Sequence, residues 1–221
     1  GSNYYGECDV KSWTNIVAVS AGTYHTVGLK PDGTVVATEF LASNDYGQCD
    51  VEGWTDMIAI SAGTAHTAGL KSDGTVVATE FSGKNDYGQC DVEAWTDIVA
   101  VSAGTYHTVG LKSDGTVVAT EISEDVDEGQ CSVEDWTDMI AISAGKYHTV
   151  GLKSDGTVVA TGKNSSGQCD VGDWTDIVAV SAGTAHTIGL KSDGTVVATK
   201  ILDDVDYGQC DVENWTDMIA I

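Results

Sequence analysis

At 221 residues the chain is long enough for one large domain or two small ones, and its 42% hydrophobic content is that of a folded protein and not a disordered one. Aspartate and glutamate outnumber lysine 34 to 10, arginine is absent and the formal net charge is -24, so the chain repels phosphate backbones and anionic lipid, which excludes nucleic acid and an anionic membrane as partners. No apolar run approaches the ~18 residues of a bilayer-spanning helix, and no basic-then-apolar leader opens the chain, so it reads as soluble and already mature, with Gly1-Ser2 a scar of expression.

In chain order, residues 6 to 19 read as a short outer strand followed by an apolar inner strand, with Trp13 between them. The complete pattern is clearest further on. Asp97-Ile98-Val99-Ala100-Val101-Ser102-Ala103-Gly104 is a short β-branched run closed by a turn glycine. His107 to Lys112 and Thr116 to Thr120 flank Ser113-Asp114-Gly115, and Asp-Gly between apolar runs predicts a hairpin because both central positions tolerate positive φ. Gln130-Cys131-Ser132-Val133 supplies a fourth extended piece before the next Trp. The single proline, Pro31, falls in a turn, and no segment carries a helical period of useful length.

This unit recurs. Trp stands at 13, 54, 95, 136, 174 and 215 and Cys at 8, 49, 90, 131, 169 and 210, so both advance by 41, 41, 41, 38 and 41. His25, His66, His107, His148 and His186 mark five copies, and the sixth stops at Ile221 before its histidine. A repeat of ~40 residues with four strands is the size of a propeller blade. The expectation is an all-β, single-domain β-propeller over 1–221, with four-stranded blades, five complete repeats and a truncated sixth. Each blade must lean on its neighbours to bury both faces.

Symmetry argues that the repeated polar residues serve the fold. The five histidines are spread around a ring with no second ligand recurring beside them, so they read as satisfied structural donors and acceptors and not as metal ligands. One cysteine per blade keeps the thiols too far apart for disulfides, and buried free thiols are expected. The tryptophans read as packing in the seams between blades. The acidic stretches Glu124 to Glu128 and Asp203 to Asp206 lack the pattern of a calcium loop and read as solvated. No nucleophile with an adjacent base and no acid-base pair stands out, so the chain is expected to be no enzyme and to use no cofactor and no metal.

Val19-Ser20-Ala21-Gly22-Thr23-Tyr24-His25-Thr26-Val27-Gly28-Leu29 resembles the signature of the regulator of chromosome condensation repeat, and the pattern returns at 60–70, 101–111, 142–152 and 180–190. The chain is most similar to bacterial members with near-identical blades. The resemblance implies a propeller, usually of seven blades, and no single activity, since members include a chromatin-bound exchange factor, a plant ultraviolet photoreceptor and a secreted β-lactamase inhibitor. A chain without arginine cannot supply the basic surfaces of the first. Tyr24, Ala65, Tyr106, Tyr147 and Ala185 precede the histidines where the photoreceptor clusters tryptophan. From the inhibitor only the mode carries over, loops presented from a rigid ring. The compartment is open between a bacterial cytoplasm and a secreted or cell-surface location.

The copies differ mainly between the third strand and the Gly-Gln-Cys piece: 39–46, 80–87, 121–128, 162–166 and 200–207. Strand alternation puts these loops on the rim that carries the histidine turns. Phe40, Leu41, Tyr46, Phe81, Tyr87, Ile122, Ile201, Leu202 and Tyr207 are therefore the expected partner-binding residues, an apolar centre bordered by carboxylates. An alternative for the first apolar positions is that they extend the third strand and pack between blades. The reading is a non-enzymatic scaffold that engages a protein partner, with acidity favouring a basic one. The alternatives are a multivalent lectin using pockets between blades, or a structural or engineered repeat protein with no ligand. The duplicated terminal strands point either to a fragment of a longer array or to self-association by strand exchange.

Overall fold

The computed structural model describes residues 3–4, 6–39, 46–80, 86–201 and 208–221. Fifteen strands form five three-stranded antiparallel sheets, and no helix occurs among the described residues. The first sheet is β1 (Ala18–Ala21), β2 (Thr26–Leu29) and β3 (Val35–Ala37), and the second β4 (Met57–Ala62), β5 (Thr67–Lys71) and β6 (Val76–Ala78). The third is β7 (Ile98–Ala103), β8 (Thr108–Lys112) and β9 (Val117–Ala119). The fourth is β10 (Met139–Ala144), β11 (His148–Lys153) and β12 (Val158–Gly162), and the fifth β13 (Ile177–Ala182), β14 (Thr187–Lys191) and β15 (Val196–Ala198).

Each hairpin is made by its Asp-Gly pair. Asp73 Oδ1 accepts the Thr75 N–H at 3.0 Å and its hydroxyl at 2.7 Å, while Gly74 takes φ +82° to close the turn. Asp32, Asp114, Asp155 and Asp193 do the same. Inner strands start on a second device. Asp56, Asp97, Asp138 and Asp176 adopt φ of 61–64°, and the register then slips at the second residue of the strand. That bulge turns Ile58, Val99, Ile140 and Val178 outward, leaving them 51–56% exposed at the hairpin rim.

The expected fourth strand does not form. Asp50 N bonds to Gly47 O at 2.9 Å, Val51 N to Cys49 O at 2.8 Å and Trp54 N to Val51 O at 3.1 Å, so these donors are spent in successive tight turns and none is left for a ladder. Gly47, at φ +86°, sets the first turn, and the same bonds recur in every copy. The blades are three strands plus this turn-rich strap.

Sheets follow one another about a common axis, β1, β4, β7, β10 and β13 each packing on the next. The apolar core is accordingly divided among the seams. Val27, Leu29 and Val35 of the first sheet are buried with Val51 of the strap and Met57 of the second sheet, and equivalent clusters occupy the following seams. Trp13, Trp54, Trp95, Trp136 and Trp174 each lie against a glycine of a middle strand: a Cβ built on Gly69 would meet Trp54 Cζ3 at 2.7 Å. Tryptophan thus fills the space that glycine leaves, as the seam packing requires. At the two ends the covering is incomplete. Val19 is 69% exposed, and Trp215, with no hairpin glycine beneath it, is 44% exposed.

Candidate functional site

Ala-Gly-Xaa turns from all five sheets line one central opening of about 300 Å³, from Ala21-Gly22-Thr23 round to Ala182-Gly183-Thr184. These turns are stitched across the seams: Thr23 N donates to Gly63 O at 3.3 Å, Thr64 N to Gly104 O and Thr105 N to Gly145 O, both at 3.2 Å, and Lys146 N to Gly183 O at 3.3 Å. Behind them each histidine reaches into the next blade. His25 Nε2 lies 2.8 Å from Thr67 Oγ1, and His66, His107 and His148 repeat the contact to Thr108, Thr149 and Thr187 at 2.8–3.1 Å.

The threonine decides the tautomer. Thr67 Oγ1 gives its one hydrogen to Gln48 O at 2.8 Å, so toward His25 it can only accept, and Nε2 carries the proton. The same holds for His66, His107 and His148, whose threonines donate to Gln89, Gln130 and Gln168 carbonyls. Nδ1 of these four rings is buried without a protein hydrogen-bond partner. The expected satisfied histidine is therefore satisfied on one nitrogen only. Burial holds the four well below the ordinary histidine range, His25 and His148 at about 4 and His66 and His107 at about 3, so they are neutral and structural. Among the described residues no group of three His, Cys, Asp or Glu is placed to hold a metal ion.

In front of the histidines the rim is aromatic. Tyr87, from the variable loop, stands edge-on to Tyr106 with ring centroids 5.5 Å apart, and Tyr106 is tilted 30° on Tyr147 at 4.9 Å. Lys146 and Lys163 hold their ammonium groups 5.1 and 5.2 Å from the Tyr147 ring centre, and Lys163 is also paired to Glu128 at 3.0 Å. Toward the first sheet, Tyr24, Tyr46, Tyr87 and Tyr106 with Thr64, Ala65, Gln89 and Thr105 enclose a cleft of about 180 Å³. The cleft lies where Ala65 replaces the tyrosine carried at 24, 106 and 147. Burial raises the Asp91 carboxyl, as do the charges of Asp86, Glu93 and Glu121.

Of the residues expected from sequence, Tyr46 and Tyr87 line this cleft, with their amides held by the Gln48 and Gln89 side chains at 2.8 and 2.7 Å. Ile122 does not line it and is half-buried next to Ser123, whose amide bonds to Tyr87 O at 3.0 Å. Ile201 lines a different cavity, about 540 Å³, with Trp174, Val196 and Cys210. Phe40, Leu41, Phe81, Leu202 and Tyr207 lie outside the described residues. Sequence reasoning missed Tyr24, Tyr106, Tyr147, Lys146 and Lys163; the signal was the alternation of Tyr and Ala before the histidines. It also placed the thiols too deep: Cys8 is exposed and the other five cysteines are half-buried, all unbridged.

The regulator of chromosome condensation (RCC1) repeat profile matches residues 98–120 and 139–168, within the third to fifth copies, so the chain carries repeats of this kind. A search of the curated proteins finds no match. Among solved structures, yeast RCC1 (Prp20) bound to Kap60 is similar with a TM-score of 0.63 at 16% identity, covering 83% of this chain and 55% of that one. Prp20p from Saccharomyces cerevisiae, described with its binding properties to Gsp1p and histones, gives a TM-score of 0.62 at 17% identity over 83% and 57%. The ectodomain of the Physcomitrella patens receptor kinase CR4 gives 0.67 at 20% identity over 90% and 54%. The likeness establishes an RCC1-type propeller fold, and the chain spans little more than half the length of these relatives.

Proposed function

Starting from a propeller in which residues 98–120 and 139–168 match the regulator of chromosome condensation repeat, we propose that the chain is a non-enzymatic scaffold that binds a protein partner through the rim bearing the histidine turns and the variable loops. The observation that supports this most is the joining of a loop residue to the scaffold, Tyr87 packed edge-on to Tyr106 at 5.5 Å, which makes loop and turn one surface. Tyrosines are efficient contact residues because they offer large amphipathic area at small cost in conformational entropy. The partner-binding set is Tyr46, Tyr87, Ile122 and Ile201, together with Phe40, Leu41, Phe81, Leu202 and Tyr207 of the loop tips. A net charge of -24 favours a basic partner whose association slows with added salt. A lectin using stacked sugars between blades is disfavoured, because Trp54 and its counterparts are laid on glycine backbone.

The test is a pull-down with the intact protein against one in which residues 39–46 and 80–87 are shortened to the five-residue form at 162–166. Loss of the captured protein with a retained fold supports the rim; equal capture by the shortened protein refutes it.

A further inference from the structure

We propose that the cleft over Ala65 is a binding slot for an arginine side chain presented by the partner protein. The inference deepens the rim reading and rests on it. In the third and fourth copies the tyrosines before the histidines, Tyr106 and Tyr147, stack at 4.9 Å, and Tyr24 occupies the same position in the first. Ala65 omits one ring from that file, and a cleft of about 180 Å³ lined by Tyr24, Tyr46, Tyr87 and Tyr106 lies at this position. The missing element is flat, so the slot suits a planar group. Guanidinium is planar, stacks on aromatic faces and is weakly hydrated, which makes it the cation easiest to withdraw from water into such a gap.

The charge of the chain favours a cation over a neutral ring: its formal net charge is -24, and Asp86 directly precedes Tyr87 of the slot. The other end of the same aromatic file shows the chemistry already in use: Lys146 and Lys163 sit 5.1 and 5.2 Å from the Tyr147 ring centre. Among the described residues no lysine lines the slot itself, and the chain has no arginine of its own to fill it. An incoming arginine would complete the file with the cation–π contact that the chain makes for itself one blade further on.

The probe is the peptide acetyl-Gly-Gly-Arg-Gly-Gly-amide, titrated into protein carrying 3-fluorotyrosine and read by fluorine NMR, each of the eight tyrosine signals being assigned by a Tyr→Phe variant. Saturable shifts of the Tyr24, Tyr46, Tyr87 and Tyr106 signals are expected. The peptide with citrulline or phenylalanine in place of arginine should bind at least tenfold more weakly. Ala65→Tyr restores the residue already present at three equivalent positions, so it should fold and reduce arginine affinity at least tenfold. Tyr106→Leu should weaken binding without filling the slot. Equal binding of the phenylalanine peptide, unchanged affinity in both variants, or shifts spread evenly over all tyrosines would overturn the assignment. If loop shortening abolishes capture of the partner but the arginine peptide leaves the slot signals unmoved, only the slot is lost. If the peptide binds the slot and shortening leaves capture intact, the rim reading fails instead.

Discussion

Acidification should unfold this protein through its seams before its surface charge is neutralised. His25, His66, His107 and His148 are held neutral, with proton affinities lowered from 6.5 to about 4, 3, 3 and 4. A histidine whose folded value is depressed favours the folded state fully above the unfolded value; as pH falls below 6.5 the unfolded chain takes up protons that the folded chain refuses. The loss therefore begins near pH 6.5 and runs down to pH 3–4. At pH 5 it amounts to about 2 kcal/mol for each ring, or roughly 8 kcal/mol for four, which is comparable with the whole stability of an ordinary domain. Relief of carboxylate repulsion acts in the opposite direction. It enters mainly below the window assayed, because ordinary carboxylates take up protons only near ~pH 4. Urea unfolding followed by circular dichroism from pH 8 to 5 should show the midpoint falling steeply below pH 6.5. Histidine ring signals of the folded protein should show no inflection near 6.5 for these four. A midpoint that is flat or rises between pH 7 and 5 would refute the buried, one-sided histidine described here.

Three further outcomes follow from the seams and straps. Gly69→Ala drives a methyl to 2.7 Å from Trp54 and 3.0 Å from Met57 Sδ, and should cost about 1–3 kcal/mol in urea unfolding although alanine suits a strand better than glycine. Thr108→Val preserves shape but removes the acceptor of His66 and the donor to Gln89 O; with two buried polar groups unpaired it should cost about 3 kcal/mol, and a loss below 0.5 kcal/mol would contradict the assigned tautomer. Burial, with the neighbouring carboxylates second, pushes the Cys90 and Cys131 thiols up to about 12, so iodoacetamide at pH 8 should modify exposed Cys8 well before either, as read by mass spectrometry of the intact protein and its peptides.

The fold was legible wherever a local rule repeats. The Trp and Cys spacing announced the copies, and each Ser-Asp-Gly or Pro-Asp-Gly marked a hairpin that the structure builds with the aspartate side chain itself. Gln-Cys-Asp-Val misled because alternation of polar and apolar residues is shared by strands and by tight turns. The deciding feature is Gly47 and its equivalents at positive φ, which direct the next amides back onto their own segment. The bulge at Asp56 was likewise invisible, since aspartate before an apolar run also suits an ordinary turn. Its consequence is that Ile58, Val99, Ile140 and Val178 are turned outward at the hairpin rim, opposite the rim where an apolar centre was expected.

The rim was half legible, for a reason of geometry. Tyr46 and Tyr87 could be picked out because they lie where the copies diverge, whereas Tyr24 and Tyr106 sit in the repeated turn and read as fold residues. Their meeting depends on contacts between positions 19 or 41 apart, Tyr87 with Tyr106 and Tyr106 with Tyr147, which exist only once the sheets stand side by side. In a ring of near-identical seams, a substitution inside the conserved turn is therefore as informative as a divergent loop. Ala65 changes no strand, no hairpin and no seam hydrogen bond, since its neighbour His66 still reaches Thr108 at 2.9 Å. It removes one ring from a row that would otherwise run through the first four copies, the fifth carrying Ala185. The fold tolerates that omission because the position lines the cleft and not the core, so the proposed slot can differ from the other seams without any change in what the chain folds into.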